Sequence, residues 1–561
     1  MKSIKTTLSL LLLLSLLITA LASCGGGNNG TGENGDGNGD ENISTPTYDI
    51  SNYSIIRSDV HNYSVIRMVS ILKTSILENA KVDLPVAIDV DVNNEYEILI
   101  GDTTREESIT ALNELKSKTS KEAFIIKVLD KKIVIVGISE EDTMIAVKHF
   151  INEFVDNVAK DGCLPLKSGD MLAQKTGKVI AHTDKNAIIV LEQSTDIFKP
   201  ANGMEKTNCT YGKIIKLEHS GENNGVLLAT HETVTGEPYP LFRSDDDGKT
   251  WTKITDIKDS VNPGAVLGYQ PYLYELPEAV GAYPAGTLFF ASCSRVGSKQ
   301  NTYMVLQVST DLGVTWMPIG NVDMGGSYND GNWSSDGLWE PVLMYEAETK
   351  RLYCFYSDEL INGEGDSHVG GHNQRLVYKY TTDLVTWSDK YEMVACENAN
   401  ARPGMVALTR LGDGRYALAY EMVSNPNGPN AQIYIKYANT LDGWDPADIG
   451  KPVVTANGAS LGSAPALAWT PDGGECGTLL LVAHGSWGDG TGNKCALFIS
   501  SDYGETWKAI KNPIDVYPNP DLRSGYSPGF FVDKEGVIYY VNNPAAFPVN
   551  EKLSFARIRI Y

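Results

Sequence analysis

The chain reads as mainly β, a long series of antiparallel units after residue 178 preceded by a small α/β domain, and two observations predict this. The frame Ser-x-Asp-x-Gly-x-Thr-Trp occurs unbroken at Ser244–Trp251, Ser309–Trp316 and Ser500–Trp507. From Lys178 onward short strand-like runs alternate with turn signals and no helical period intrudes, whereas residues 48–177 interleave helical and strand periods.

The repeated frame is a β-hairpin turn. Its Asp can accept from backbone N–H groups around the bend, its Gly supplies a positive φ, and Thr-Trp re-enters a strand with the indole free to pack. A shortened copy, Thr381–Trp387, lacks the glycine, and Ala438–Trp444 is a more worn relative. The frame resembles the Asp-box of the sialidase-type propellers. Its recurrence at blade-sized spacing implies four-stranded blades closing into a six-bladed β-propeller over residues 178–561, with one blade lacking a box. The box itself is a fold device, so the site is sought in polar residues embedded in strands.

The 561 residues exceed a single domain and can bury a large core. A net charge of −23 argues against a nucleic-acid partner. Lys2 and Lys5 precede a Leu-rich run from Leu8 to Ile18, too short to span a bilayer, and the run ends in Leu21-Ala22-Ser23-Cys24. This resembles the lipobox of bacterial lipoproteins. It implies a signal peptide over residues 1–24, lipidation of Cys24, and an extracytoplasmic protein held at the membrane by its lipid. Residues 25–47, rich in Gly, Asn, Asp and Glu, read as a disordered tether. The seven other cysteines are odd in number, widely spaced and outside any Cys-x-x-Cys pattern, so neither a disulfide framework nor a metal site is indicated.

Within residues 48–177, strands are expected at Tyr53–Arg57 and Tyr96–Ile100, helices at His61–Leu77, Glu106–Leu115 and Glu140–Val158, and a hairpin from Ala123–Leu129 and Ile133–Val136. The hairpin and following helix resemble the small α/β domain that precedes the catalytic domain in several glycoside hydrolases. Gly101–Arg105 is either a ligand loop or a plain strand-to-helix turn. No chemistry is assigned to this domain.

In the β region two carboxylates stand where alternation predicts burial. Glu340 lies in Gly337-Leu-Trp-Glu-Pro-Val-Leu-Met344 and Glu421 in Arg415-Tyr-Ala-Leu-Ala-Tyr-Glu-Met422. A buried carboxylate costs several kcal/mol unless paired or protonated, so two in successive blade-sized segments point to a shared cleft. With Gly268-Tyr-Gln-Pro-Tyr-Leu-Tyr-Glu-Leu-Pro277, Trp339-Glu-Pro341, Tyr356-Ser-Asp-Glu359, Arg402-Pro-Gly-Met405 and Tyr420-Glu421, the chain resembles the exo-α-1,5-L-arabinanases of glycoside hydrolase family 93 from about Tyr211 to Tyr526.

That resemblance implies a retaining exo-hydrolase of arabinan or a related glycan, monomeric, with no metal or organic cofactor. It maps the nucleophile onto Glu340 and the general acid/base onto Glu421. Tyr526, Arg402, Gln270 and His484 are candidate supporting or substrate-binding residues, each also explicable as a satisfied structural polar group. An exo-α-sialidase is the second enzyme reading, weakened because Lys213 stands where the first substrate-binding arginine is expected. A non-catalytic carbohydrate-binding lipoprotein is the third; it has no need of both acids.

Overall fold

The computed structural model describes residues 48–561 except 61–62, 157, 184–186, 201–208, 234–237, 296–300, 328–336, 360–373, 399, 489–494, 517–522 and 546–550. The signal-peptide, Cys24 and tether expectations lie outside the described residues.

The first half of the architecture is a six-stranded sheet in the order Val86–Ile88, Ser54–Arg57, Glu97–Ile100, Lys132–Gly137, Ala123–Val128, Met171–Lys175. Its first four strands are parallel and the last two antiparallel. Helices Tyr63–Ala80 (α1) and Glu140–Phe154 (α3) cover one face and Glu106–Lys118 (α2) the other, because alternate residues of each strand join different cores. Ile98 and Ile100 pack with α1 and α3, whereas Leu99 packs with α2. The short strand Val86–Ile88 had no signal of its own in the sequence. Gly101–Arg105 turns from strand to helix, and Arg105 folds back at 3.0 Å onto the fully buried Glu97, which Lys132 also meets at 2.6 Å. That ion cluster accounts for the loop structurally.

The remainder is six antiparallel sheets whose innermost strands neighbour one another in a closed ring. These strands are Lys213–Lys216 (blade 1), Val266–Glu275 (blade 2), Leu338–Glu346 (blade 3), Arg402–Arg410 (blade 4), Ala466–Thr470 (blade 5) and Gly529–Val532 (blade 6). Blade 6 takes its fourth strand, Ile188–Phe198, from the opposite end of the β region, pairing it with Leu553–Ile560 from Ile189↔Ile560 to Phe198↔Leu553. Ile188, Val190 and Tyr561 also belong to the core beneath α1 and α3, so the α/β sheet and the propeller form one compact unit.

Each Asp-box joins the third and fourth strands of its blade. In blade 1, Asp246 accepts from the Thr250 N–H (2.9 Å) and hydroxyl (2.7 Å), Ser244 accepts from the Gly248 N–H (2.8 Å), and the Trp251 indole donates to the Gly248 carbonyl (3.1 Å). The Asp and Ser bonds recur around Asp311 and Asp502, and the Trp316 indole repeats the bond to its glycine carbonyl (3.1 Å). Two consecutive residues are left-handed, Asp247 and Gly248 at φ 61° and 83°, where the sequence suggested only the glycine. This explains the glycine-free copy: Leu384 alone takes the left-handed position, at φ 63°. The blade without a box is the ring-closing blade 6, whose third strand, Leu553–Ile560, pairs with Ile188–Phe198 from the other side of the β region, so no turn joins the two.

The box glycines also seat each blade on its predecessor. A Cβ on Gly248 would stand 2.3 Å from the Phe555 ring of blade 6, and one on Gly504 would stand 2.1 Å from the Tyr437 hydroxyl of blade 4. Gly414, at φ 90°, has nothing within 4 Å of its Cβ position. Gly414→Ala should therefore cost only the backbone term, about 1 kcal/mol, while Gly248→Ala adds overpacking and should cost roughly 2–4 kcal/mol. Thermal unfolding of the two variants measures the difference, and equal midpoints would contradict blade-to-blade seating by the box.

Candidate active site

The channel end of the propeller is built by a backbone distortion repeated in all six blades. Tyr211, Gln270, Glu340, Met405, Ser463 with Ala464, and Ser527 all have positive φ, between 49° and 66°, and each lies at or just before the innermost strand of its blade. Register shifts mark the same places as bulges in blades 2, 3 and 4. A bulge turns a side chain that would face the neighbouring sheet toward the axis instead, at about 1–3 kcal/mol of strain per residue. The sequence carries a trace of this device: Gln270, Glu340, Ala464 and Ser527 are each followed by proline. Proline has no N–H to donate to a ladder and is tolerated in sheets at bulges.

Glu340 is held from three sides. Its N–H donates to Gln270 Oε1 (2.9 Å), and its Oε2 accepts from the Ser357 hydroxyl (2.7 Å) and from the Met405 N–H (2.8 Å). Glu421, 8 % exposed, accepts the Ala464 N–H at 2.8 Å. Glu421 is also the register partner of Gly404, where an added Cβ would lie 3.6 Å from Glu421 Oε1. The two carboxylates thus meet over the Gly404–Met405 peptide.

The other expected residues converge here too. The Tyr526 ring packs edge-on against Tyr211 (5.4 Å) and His484 (5.0 Å), with its hydroxyl 3.9 Å from Met405 Sδ. Gln270 Nε2 reaches the Tyr211 hydroxyl at 3.5 Å. Arg402 bonds Glu359 and, at 2.7 Å, Gln374 Oε1, and Gln374 in turn donates to the Pro403 carbonyl at 2.9 Å.

Sequence reasoning gave no role to Ser357 and Glu359, although both fall in the Tyr356-Ser-Asp-Glu359 motif, nor to Gln374 and Glu232. Glu232, 2 % exposed, accepts the Gln270 N–H, so it holds the residue that holds Glu340. It lies just after the second strand of blade 1, Leu227–Thr230, with no apolar alternation around it, and only the fold brings it to the axis. Lys213, noted as a departure from the arginine pattern, is a cleft cation: desolvation lowers its pKa to about 8, against the supporting charge of Glu340.

Burial and the Glu421 charge together push Glu340 up to about 8, in spite of its Ser357 and Met405 bonds. Burial pushes Glu421 upward as well, opposed by Ala464, Ser463 and Arg402. Burial thus raises both carboxyls and the Glu421 charge raises Glu340 further, an environment that favours the protonated acid toward neutral pH.

No family model and no curated protein matches the sequence. Solved structures do. The chain is similar to the family 93 α-L-arabinofuranosidase of Fusarium graminearum with arabinobiose, at 26 % identity and TM-score 0.55 over 65 % of this chain and 97 % of that one. It is similar to the Penicillium chrysogenum α-L-arabinanase complexed with arabinobiose, at 29 % identity and TM-score 0.55 over 65 % and 97 %. The Fusarium enzyme with an iminosugar inhibitor matches at 27 % identity and TM-score 0.54 over 66 % and 98 %.

A raised acid pKa has a consequence for stability. A carboxyl whose folded pKa exceeds its unfolded value stabilises the fold fully below the unfolded pKa and loses that contribution as pH rises to the folded one. For Glu340 the window runs from 4.5 to about 8. Glu340→Gln should leave the melting temperature unchanged at pH 4.5 and raise it by ~1–3 °C at pH 8. A gain of equal size at both values would contradict the buried, raised carboxyl.

Proposed function

We propose that this glycoside hydrolase removes L-arabinofuranosyl units from the end of α-1,5-arabinan with retention, by double displacement on Glu340 and Glu421. The observation that carries the reading is the meeting of the two carboxylates over the Gly404–Met405 peptide, one held by the Met405 N–H and the other paired in register with Gly404. Retention asks for carboxyls about 5–5.5 Å apart, and the Glu421 charge acts directly on Glu340. The arabinobiose bound to the similar Fusarium and Penicillium enzymes supports arabinan as the substrate class.

In this mechanism the proton of the pair resides on Glu421 when the glycosidic oxygen lies beside it. Glu421 gives that proton to the leaving oxygen as Glu340 attacks the anomeric carbon, forming the glycosyl–enzyme ester and breaking the bond to the leaving chain. Water then attacks the same carbon, Glu421 takes its proton, and Glu340 leaves as carboxylate. Ser357 and the Met405 N–H orient the attacking oxygen, which each of them contacts, and the Lys213 ammonium favours the ionised form of Glu340. Tyr526 serves as a wall: burial and the neighbouring Glu421 and Glu340 charges push its hydroxyl pKa upward, which opposes the phenolate that a sialidase-type nucleophile requires.

We further propose that the chain works outside the cytoplasm, anchored through Cys24, on the strength of the Lys2/Lys5, Leu-rich and Leu21–Cys24 pattern. Expressed in a bacterial host, the full chain should sediment with membranes and Cys24→Ser should not; equal partitioning would contradict the anchor.

Arabinose-containing products should appear from linear α-1,5-arabinan, and Glu421→Gly should lower kcat by ~10²–10⁴. Azide should rescue both glycine variants with opposite stereochemistry. Glu340→Gly should give the β-arabinofuranosyl azide, by a single inversion, and Glu421→Gly the α-azide through the intact ester. The reverse pattern would exchange the two roles, and no release from arabinan by the unmodified protein would overturn the substrate.

A further inference from the structure

One aromatic beside the cleft has no part in the chemistry above. Trp487 is 47 % exposed, whereas every other described tryptophan is buried or half-buried. It ends the short strand Gly485–Trp487, which follows His484 directly and pairs antiparallel with Ser460–Gly462 as an extension of the blade 4 sheet. The two strands meet as a glycine pair, Gly462↔Gly485. A Cβ on Gly462 would fall 2.3 Å from the indole, and one on Gly485 would fall 3.7 Å from it. The ring therefore folds back over a shelf that two glycines keep clear. The neighbouring Ser486 points the other way, accepting the Ala496 N–H at 3.1 Å, so strand alternation fixes the indole on the opposite face.

The shelf is continuous with the cleft. The His484 N–H donates to the Ser463 carbonyl at 2.8 Å, the His484 ring packs on Tyr526, and Ala464, next in sequence, holds Glu421. Three residues of extended chain set Trp487 about 10 Å from His484, over Gly462, two residues before the Ala464 whose N–H holds Glu421. An indole ring held flat, with one face covered by backbone and the other in solvent, suits the C–H face of a sugar far better than a protein core.

We infer that Trp487 is a stacking platform for the leaving segment of the arabinan chain, gripping furanose residues beyond the bond that Glu421 protonates. The inference rests on the arabinan reading of the cleft. It makes Trp487 a determinant of preference for polymer over short substrates, acting on binding while chemistry at the pair is unchanged.

Steady-state kinetics of the purified protein, Trp487→Ala and Trp487→Phe on linear α-1,5-arabinan and on 4-nitrophenyl α-L-arabinofuranoside test this, the second substrate having a leaving group too short to extend along the shelf. Trp487→Ala should raise KM for arabinan ~5–10-fold with kcat retained, leave both constants for the aryl glycoside within twofold, and be largely rescued by Trp487→Phe. An active protein whose arabinan KM is indifferent to Trp487→Ala overturns this inference alone, as does an equal loss on both substrates. A protein inert on arabinan overturns the substrate reading and the inference with it.

Discussion

The closure of the ring by one pair of strands is the constraint on which everything else depends. Ile188–Phe198 and Leu553–Ile560 come from opposite ends of the β region, and their pairing completes the sixth blade, whose innermost strand lies between those of blades 5 and 1. Only a closed ring can bring Gln270 of blade 2, Glu340 of blade 3, Met405 of blade 4, Ala464 of blade 5 and Tyr526, just ahead of the blade 6 inner strand, to a single point. Closure also leaves blade 6 without a box, since its turn between third and fourth strands does not exist. The same strand buries Ile188 and Val190 in the α/β core, so the accessory sheet braces the seam.

Gathering the site is unfavourable for the fold. Three carboxyls, Glu232, Glu340 and Glu421, are desolvated at the axis, and six blades hold left-handed residues there. Backbone N–H groups offset part of this: Met405, Ala464 and Gln270 each direct one at a carboxylate. These donors are available because the bulges withdraw them from the ladder. The strain and the hydrogen bonds are thus one device, which lowers the cost of placing charge in the cleft and orients it.

Much of this was legible in the sequence, and for physical reasons. Glu340 and Glu421 stood out because strand alternation makes an inward acid conspicuous, and the box frame stood out because a hairpin with two left-handed residues admits few sequences. Helix α2 began at the expected Glu106, while α3 ended at Phe154, short of the expected Val158, an end where fraying is decided by tertiary contacts. Residues that act through the backbone were not legible: Met405 and Ala464 contribute N–H groups, which no side chain advertises. Ser357 and Gln374 are ordinary polar residues until blade packing places them. Glu232 and Trp487 lie outside alternating runs, and their position at the cleft follows from topology alone. The recurring residue-proline step at Gln270, Glu340, Ala464 and Ser527 was the available signal for the bulges, and its meaning depends on knowing that each lies within or just before an inner strand.

The central claim, that Glu340 and Glu421 carry out a double displacement in this cleft, is tested most directly by the stereochemistry of transfer to methanol. In aqueous methanol with an α-1,5-arabino-oligosaccharide, proton NMR of the first-formed glycoside should show the methyl α-L-arabinofuranosyl configuration, the signature of two successive inversions at one carbon. A β-configured methyl product, or hydrolysis that releases the β-anomer first with no transfer to methanol, would contradict it.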